Sequence, residues 1–244
     1  MGDDQDIGYA VTAEFYDLLQ AETDRRQARR RFAEPAARAR QAILDVGAGT
    51  GIVTGILLTA SAVPVHAVEP SAPMRAALLT RLAALGADQR ARVTLHPEPI
   101  EETGLVRAVD LAIASNVVAT LPPPVRRATW QAVARALTPG GVLLFDPPPE
   151  TLPGGRETAA RLGPVRVGPD LYSAELTLEP ERGILRSVFT YRVERDGVLQ
   201  REEREAFDLW PVEPALLRAE LEAAGLHVVQ APHADLVAAR RTAS

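Results

Sequence analysis

The run Asp45-Val46-Gly47-Ala48-Gly49-Thr50-Gly51 sets one carboxylate two residues ahead of three alternating glycines. Glycines at such spacing let a backbone turn sharply and approach a ligand with no Cβ in the way. The pattern is G-x-G-x-G, and the third glycine of a dinucleotide fingerprint is replaced by Ile52. Asp45 is expected to face the ligand, where a carboxylate disfavours a pyrophosphate and suits a cationic amine. Glu69 follows Gly51 by 18 residues, at the end of an apolar run, and can accept hydrogen bonds from both hydroxyls of a ribose. Glu98 can accept from the exocyclic amine of adenine, with Met74 and Val117 packing the faces of the base. An adenosine ligand with an ammonium and no phosphate satisfies all of these, and S-adenosylmethionine is such a molecule.

The 244-residue chain removes other chemistries by what it lacks. All 27 basic residues are arginine, there is no cysteine, and four histidines occur. Without lysine there is no Schiff base and no P-loop lysine, and without cysteine no thiolate nucleophile, zinc ribbon or disulfide. No metal site is expected. A net charge of −5 argues against nonspecific binding of nucleic acid. The cluster Arg25, Arg26, Arg29, Arg30 and Arg31, with Glu22, Asp24 and Glu34 nearby, reads as a solvated helix face. No apolar run reaches the roughly 18 residues of a membrane span. The acidic start Met1-Gly2-Asp3-Asp4-Gln5-Asp6 carries no export signal, so a cytoplasmic location is expected.

The elements that must position these residues alternate. A helix is expected over 8–40, with Pro35 as a break. Apolar strands follow at 42–46, 65–69, 92–96, 109–114 and 141–146. Helices lie between them at 52–60, 71–85 (Ser71 as cap, Gly86 as stop) and 125–137. This alternation implies a parallel sheet covered on both faces. After a Pro/Gly-rich connection at 147–155, three alternating segments, 171–178, 184–194 and 198–210, read as an antiparallel meander with turns at 179–183 and 195–197. One face of its middle strand, Leu185, Ser187, Phe189, Tyr191 and Val193, is richer in apolar and aromatic groups. A helix at 213–224 ending at Gly225, strands at 226–230 and 234–240, and four frayed residues close the chain.

Residues 42–146 resemble the core of a class I S-adenosylmethionine-dependent methyltransferase. The resemblance is carried by Asp45 to Gly51, by Val68-Glu69-Pro70-Ser71, by Glu98, by Asp110 to Val118, and by Leu137-Thr138-Pro139-Gly140-Gly141 leading into Val142 to Phe145. It implies an α/β, Rossmann-like, doubly wound seven-stranded sheet of order 3-2-1-4-5-7-6, its last strand antiparallel, with the meander inserted after strand 5. The divisions expected are an N-terminal helical lid (1–40), a cofactor-binding core (41–150), an antiparallel β cover (151–212) and a C-terminal part of the core (213–244). The expected S-adenosylmethionine contacts are Asp45, Gly47, Ala48, Gly49, Thr50, Gly51, Glu69, Pro70, Ser71, Met74, Glu98, Asn116 and Val117.

The acceptor is expected over the ends of strands 4 and 5, beside Asn116 and Asp146, under the lid and the meander. Tyr9, Tyr16, Asp146, Tyr191, Arg192 and Trp210 are the substrate candidates, with Tyr172 and Glu203 as further cover residues and Tyr16 and Asn116 as catalytic candidates. Many relatives have a histidine shortly after strand 4, whereas Ser115-Asn116-Val117-Val118-Ala119-Thr120 has none. His66 and His96 read as structural, and His227 and His233 belong to the tail. With no ready base, an amine that sheds its proton to water is favoured over an unactivated hydroxyl. The expected function is methylation of an amine nitrogen of a small molecule or peptide in natural-product tailoring, antibiotic biosynthesis included: an aminosugar, an amino acid or a peptide N-terminus. O-methylation of a hydroxyl or carboxylate is one alternative, and a non-catalytic cofactor-binding protein another. The expected partners are the substrate and, as an option, a second copy in a homodimer, with neither nucleic acid nor a membrane.

Overall fold

A computed structural model describes residues 8–242. The acidic start Met1 to Asp6, the first seven residues of the expected lid and the last two of the expected frayed tail lie outside that range. The described part of the tail is held: Arg241 donates to the carbonyls of Leu137 and Arg135, and the Thr242 amide donates to Gly225.

In chain order the elements are α1 (Thr12–Arg38), β1 (Ile43–Val46), α2 (Ile52–Ala60), β2 (Val65–Val68), α3 (Ala72–Ala83), α4 (Ala87–Arg90), β3 (Val93–His96), β4 (Val109–Ala114), α5 (Pro123–Ala136) and β5 (Leu137–Phe145). Then follow β6 (Glu157–Val167), β7 (Asp170–Glu181), β8 (Ile184–Arg195), β9 (Val198–Leu209), α6 (Pro214–Ala223), β10 (Leu226–Val229) and β11 (Val237–Arg241). Strand β1 is buried at every position, as a central parallel strand covered on both faces must be. It pairs in parallel with β2 and β4, and the full order is β10-β11-β5-β4-β1-β2-β3. Only β11 is antiparallel to its neighbours, β5 and β10. The chain therefore has the Rossmann-like sheet order expected from the sequence, 3-2-1-4-5-7-6 once the four cover strands are left uncounted.

Two apolar layers flank this sheet. One packs Trp130, Val133 and Leu217 of α5 and α6 over Leu44, Leu143 and Phe145; the other packs Phe32, Leu57 and Leu78 of α1, α2 and α3 over Ile43, Ala67 and Ile113. A third cluster joins α1 to the second sheet, with the Phe15 ring stacked on Tyr191 at 4.6 Å. Beneath α5, Arg126 and Glu220 form a buried bidentate pair at 2.9 and 3.0 Å.

The second sheet has four strands, β6-β7-β8-β9, one more than expected. The missed strand, β6, is an edge strand with no fully buried position and contains Gly163-Pro164, so it shows neither clean alternation nor an apolar run. The two later hairpins turn on Arg182-Gly183 and Asp196-Gly197, pairs in which both residues have positive φ, the geometry that matches strand twist. The expected 179–183 joint is therefore tighter than read, with β7 running to Glu181.

Three local expectations are corrected. Pro35 does not break α1; it sits in the last turn, where its ring removes one backbone bond and the helix continues to Arg38. Ser71 stands at the N-cap position of α3, but its hydroxyl reaches the carbonyl of Gly8 at 3.3 Å rather than capping. Gly86 does not stop α3, which ends at Ala83 with Ala84 as its C-cap; with φ −62° it opens α4 instead. Among the described residues no helix is long and apolar enough to cross a membrane.

Candidate active site

The loop from β1 to α2 holds Gly47, Gly49 and Gly51 at φ of 68°, 56° and 83°. A Cβ on Gly51 would lie 2.3 Å from Leu78 Cδ1, so this glycine lets α3 close against the loop from behind. A Cβ on Gly49 would meet no protein atom within 4 Å; its open side faces a cavity of about 920 Å³, a volume suited to a small-molecule ligand. Glu69, at the end of β2, holds the loop and its own turn together. One carboxylate oxygen accepts from the Gly49 amide at 2.7 Å and the other from the Ser71 amide at 2.8 Å. Each oxygen keeps a lone pair for a ligand. Burial raises the pKa of Glu69, opposed by those two amides and by Arg75.

The cavity wall takes in Gly47, Ala48, Gly49, Thr50, Glu69, Pro70, Ser71, Met74, Asn116 and Val117 of the expected cofactor residues. Asp45, Gly51 and Glu98 are not on it. Asp45 is only 1% exposed and does not face the ligand space: the Thr54 hydroxyl donates to it at 2.6 Å, bracing α2 from within. Burial pushes its carboxyl up to about 7, against the opposing hydrogen bond from Thr54. Glu98 turns to His96, whose Nδ1 lies 3.3 Å away, because residues two apart in an extended segment share a side. The wall there is made by Pro97, Pro99, Ile100 and Glu101, and Glu101 accepts from the Thr129 hydroxyl at 2.6 Å. His66 and His96 are partners across β2 and β3 at 3.0 Å, outside the cavity lining.

On the acceptor side Tyr9 and Tyr16 line the cavity, and the other candidates do not. Tyr9, at φ 72°, stacks on Phe207 at 4.5 Å. The Tyr16 hydroxyl donates to Asp24 at 2.7 Å. Burial first, then the neighbouring Asp24 carboxylate, drives the Tyr16 phenol well above its usual range. Asp146 is occupied as a strut, accepting from the Asn116 amide at 2.9 Å and from Arg31 at 2.6 Å. Arg31 also holds Asp235 at 2.5 Å, and Arg30 reaches the same carboxylate. The arginine cluster is therefore not wholly a solvated face. Tyr191 is buried beyond the cavity, donating to the Thr12 hydroxyl at 3.0 Å. Arg192 lies on the opposite face of β8 and pairs with Glu202, and Trp210 meets the turn after β4 through its backbone, donating to Ala119. Tyr172 packs near Phe15, and Glu203 pairs with Arg201.

The sequence reading missed most of one wall. Tyr16, Gln20, Asp24, Gln27 and Arg31 recur at helical spacing on α1, and all line the cavity. The signal was that spacing, continued from Tyr16. Ser187, Phe189, Phe207 and Leu209 line it from alternate positions of β8 and β9.

Comparison with known proteins agrees with this geometry. Residues 44–143 match a family described as a methyltransferase domain. No curated protein sequence matches the chain. Among solved structures, the chain is similar to an S-adenosylmethionine-bound amino pentose methyltransferase from Micromonospora echinaspora involved in calicheamicin biosynthesis. The identity is 23% over 91% of this chain and 90% of that one, with a TM-score of 0.66. It is similar to a sugar N-methyltransferase from a Streptoalloteichus species, at 23% identity over 99% and 96% and a TM-score of 0.69. A glycopeptide N-methyltransferase complexed with S-adenosylhomocysteine aligns over 90% and 87% at 20% identity and a TM-score of 0.59. At these identities the likeness is one of fold.

Proposed function

We propose that the chain is an S-adenosylmethionine-dependent methyltransferase, as the match of residues 44–143 to a methyltransferase domain and the S-adenosylmethionine-bound structural neighbour support, and that its acceptor is an amine nitrogen of a small molecule or peptide. The cofactor supplies a methyl group already activated by its sulfonium. In this reading Glu69 holds the ribose hydroxyls, Gly49 admits the ligand to the backbone, and Met74 and Val117 pack the adenine. The fit of these residues rests on the open side of Gly49 and the spare lone pairs of Glu69. Asn116, at φ 58° and fixed through its amide by Asp146, closes the end of β4 beside the reacting groups.

The observation that carries the amine reading is the chemistry of the wall. Among the described residues it has no histidine, the phenols of Tyr9 and Tyr16 are held above their usual pKa, and each of its carboxylates, Asp24, Glu69 and Glu101, already accepts a hydrogen bond from the protein. A hydroxyl acceptor needs a base in the site, whereas an amine can lose its proton to water and needs only to be aligned and kept dry. Natural-product tailoring fits this chemistry, and the sugar and glycopeptide N-methyltransferases among the structural neighbours support it.

Calorimetric titration with S-adenosylhomocysteine tests the cofactor site, and absence of binding at millimolar ligand refutes it. Transfer of a radiolabelled methyl group to amines, with alcohols and carboxylates inert, is the expected acceptor result. Labelling of alcohols or carboxylates alone would replace the amine reading by O-methylation.

A further inference from the structure

The cavity is lined by polar side chains of α1 and by apolar groups of β8, β9, the segment after β4 and the first turn of α5: Phe189, Phe207, Leu209, Leu121 and Val125. Most polar groups of the wall are already engaged. Glu69 holds two amides, Glu101 holds Thr129, and Arg31 is shared between Asp146 and Asp235. Two groups are not. The Nε2 of Gln20 is buried without a hydrogen-bond partner. Asp24 uses Oδ2 to accept from Tyr16, and among the described residues none donates to Oδ1. A buried amide donor left without a partner costs about 1–3 kcal/mol, and Gln20 belongs to the cavity wall, where a ligand can supply that partner. Residues 20 and 24 stand one helical turn apart on the same face, with Cβ atoms about 5–6 Å from one another. A donor and an acceptor so placed converge on one small polar group or on two neighbouring ones.

We propose that Gln20 and Asp24 bind a hydroxyl beside the reacting nitrogen, so that the acceptor is a hydroxylated amine with an apolar skeleton rather than a plain amine. The inference rests on the amine reading above. Asp24 is assigned to the hydroxyl and not to the nitrogen for a chemical reason. A carboxylate on the nitrogen would hold it as an ammonium with no lone pair, and the attack on the methyl carbon needs that pair. On a hydroxyl, Asp24 accepts one hydrogen bond, Gln20 donates one to the oxygen, and the nitrogen stays free to turn toward Asn116. The apolar groups of the lining then face the carbon frame. Gln20 and Asp24 are specificity residues in this arrangement.

The test compares trans-2-aminocyclohexanol with cyclohexylamine, which differ by the one hydroxyl, using radiolabelled S-adenosylmethionine. The wild-type chain is expected to favour the amino alcohol by at least about tenfold in kcat/KM, since a site built to hydrogen-bond a hydroxyl rejects the analogue without it. In Asp24→Ala and in Gln20→Leu the ratio should fall toward one, while Arg25→Ala, on the exposed side of α1, keeps it. S-adenosylhomocysteine should bind all four chains within about twofold of one another, which shows the variants folded. Equal use of the two amines by the wild type, or a ratio that survives in Asp24→Ala, overturns the inference and leaves the amine reading standing. Methylation of trans-cyclohexane-1,2-diol but of neither amine overturns the amine reading itself. No transfer to either amine or to the diol, by a chain that binds S-adenosylhomocysteine, overturns both.

Discussion

Asp17 of α1 and Thr50 of the glycine loop are joined directly: the threonine hydroxyl donates to Asp17 Oδ1 at 2.6 Å. Arg81 of α3 completes the link, bonding Asp17 Oδ2 at 2.5 Å and the Thr50 carbonyl at 2.7 Å. The helix over the cavity and the loop under it are thus held by one carboxylate. Asp17→Ala should weaken S-adenosylhomocysteine about tenfold by calorimetry. It should cost about 1 kcal/mol of stability, or about 2–4 °C in Tm for a chain of this size. Unchanged affinity would mean that the loop holds its shape without α1.

The glycines of the loop should separate by experiment. Gly51→Ala places a methyl 2.3 Å from Leu78 at φ 83°, so it should lower Tm sharply, by more than about 2 kcal/mol of stability. Gly49→Ala meets no protein atom, so it should cost only the left-handed strain of about 1–2 kcal/mol at φ 56°, less than Gly51→Ala, yet lose most of its affinity for S-adenosylhomocysteine. Equal loss of stability in the two variants would contradict this division of labour.

Asp45 makes the fold sensitive to pH. Its carboxyl goes from an ordinary 3.8 in the unfolded chain to about 7 when buried, so between these values the folded state binds the extra proton. Stability therefore falls as pH rises through that window and is level above it, a loss of about 3 kcal/mol between pH 5 and 8. Asp45→Asn cannot ionise and still accepts from Thr54. Its Tm relative to wild type should be clearly higher at pH 8 than at pH 5, and a difference independent of pH would refute the buried titration.

Arg126 and Glu220 tie α5 to α6 away from the cavity. Glu220→Ala leaves the guanidinium buried without its partner and should cost about 3–5 kcal/mol in denaturant unfolding. Affinity for S-adenosylhomocysteine below the melting transition should stay within about twofold, because the side chains that hold Glu220, those of Arg126, Arg127 and Trp130, do not line the cavity. A large loss of affinity in folded protein would argue against that separation.

The parallel core was legible because fully buried strands such as Ile43–Val46 and Val109–Ala114 must be near-continuous apolar runs, punctuated by glycine where the chain turns. Side-chain direction at strand ends was not. Asp45 and Glu98 lie in the expected segments, but Thr54 and His96, not the cavity, take their carboxylates. The α1 wall was hidden for another reason: Gln20, Asp24 and Gln27 facing a cavity have the same pattern as polar residues facing water. Likewise β6, wet on most positions and paired on one side only, carries no pattern that separates it from a loop.

The place of β11 bears on how the chain is made. Residues 237–241 pair on one side with β5 and on the other with β10, so the strand of this sheet that is synthesised after all the others is an interior one. Strands β6 to β9 are joined by tight reversals and can zip together as soon as residue 209 has left the ribosome. Until residue 241 follows, β5 presents a bare edge to any passing strand, and β10 has no partner. A chain lacking residues 237–241 would thus be aggregation-prone, and the burden on chaperones should be greatest in the interval before residue 241 emerges.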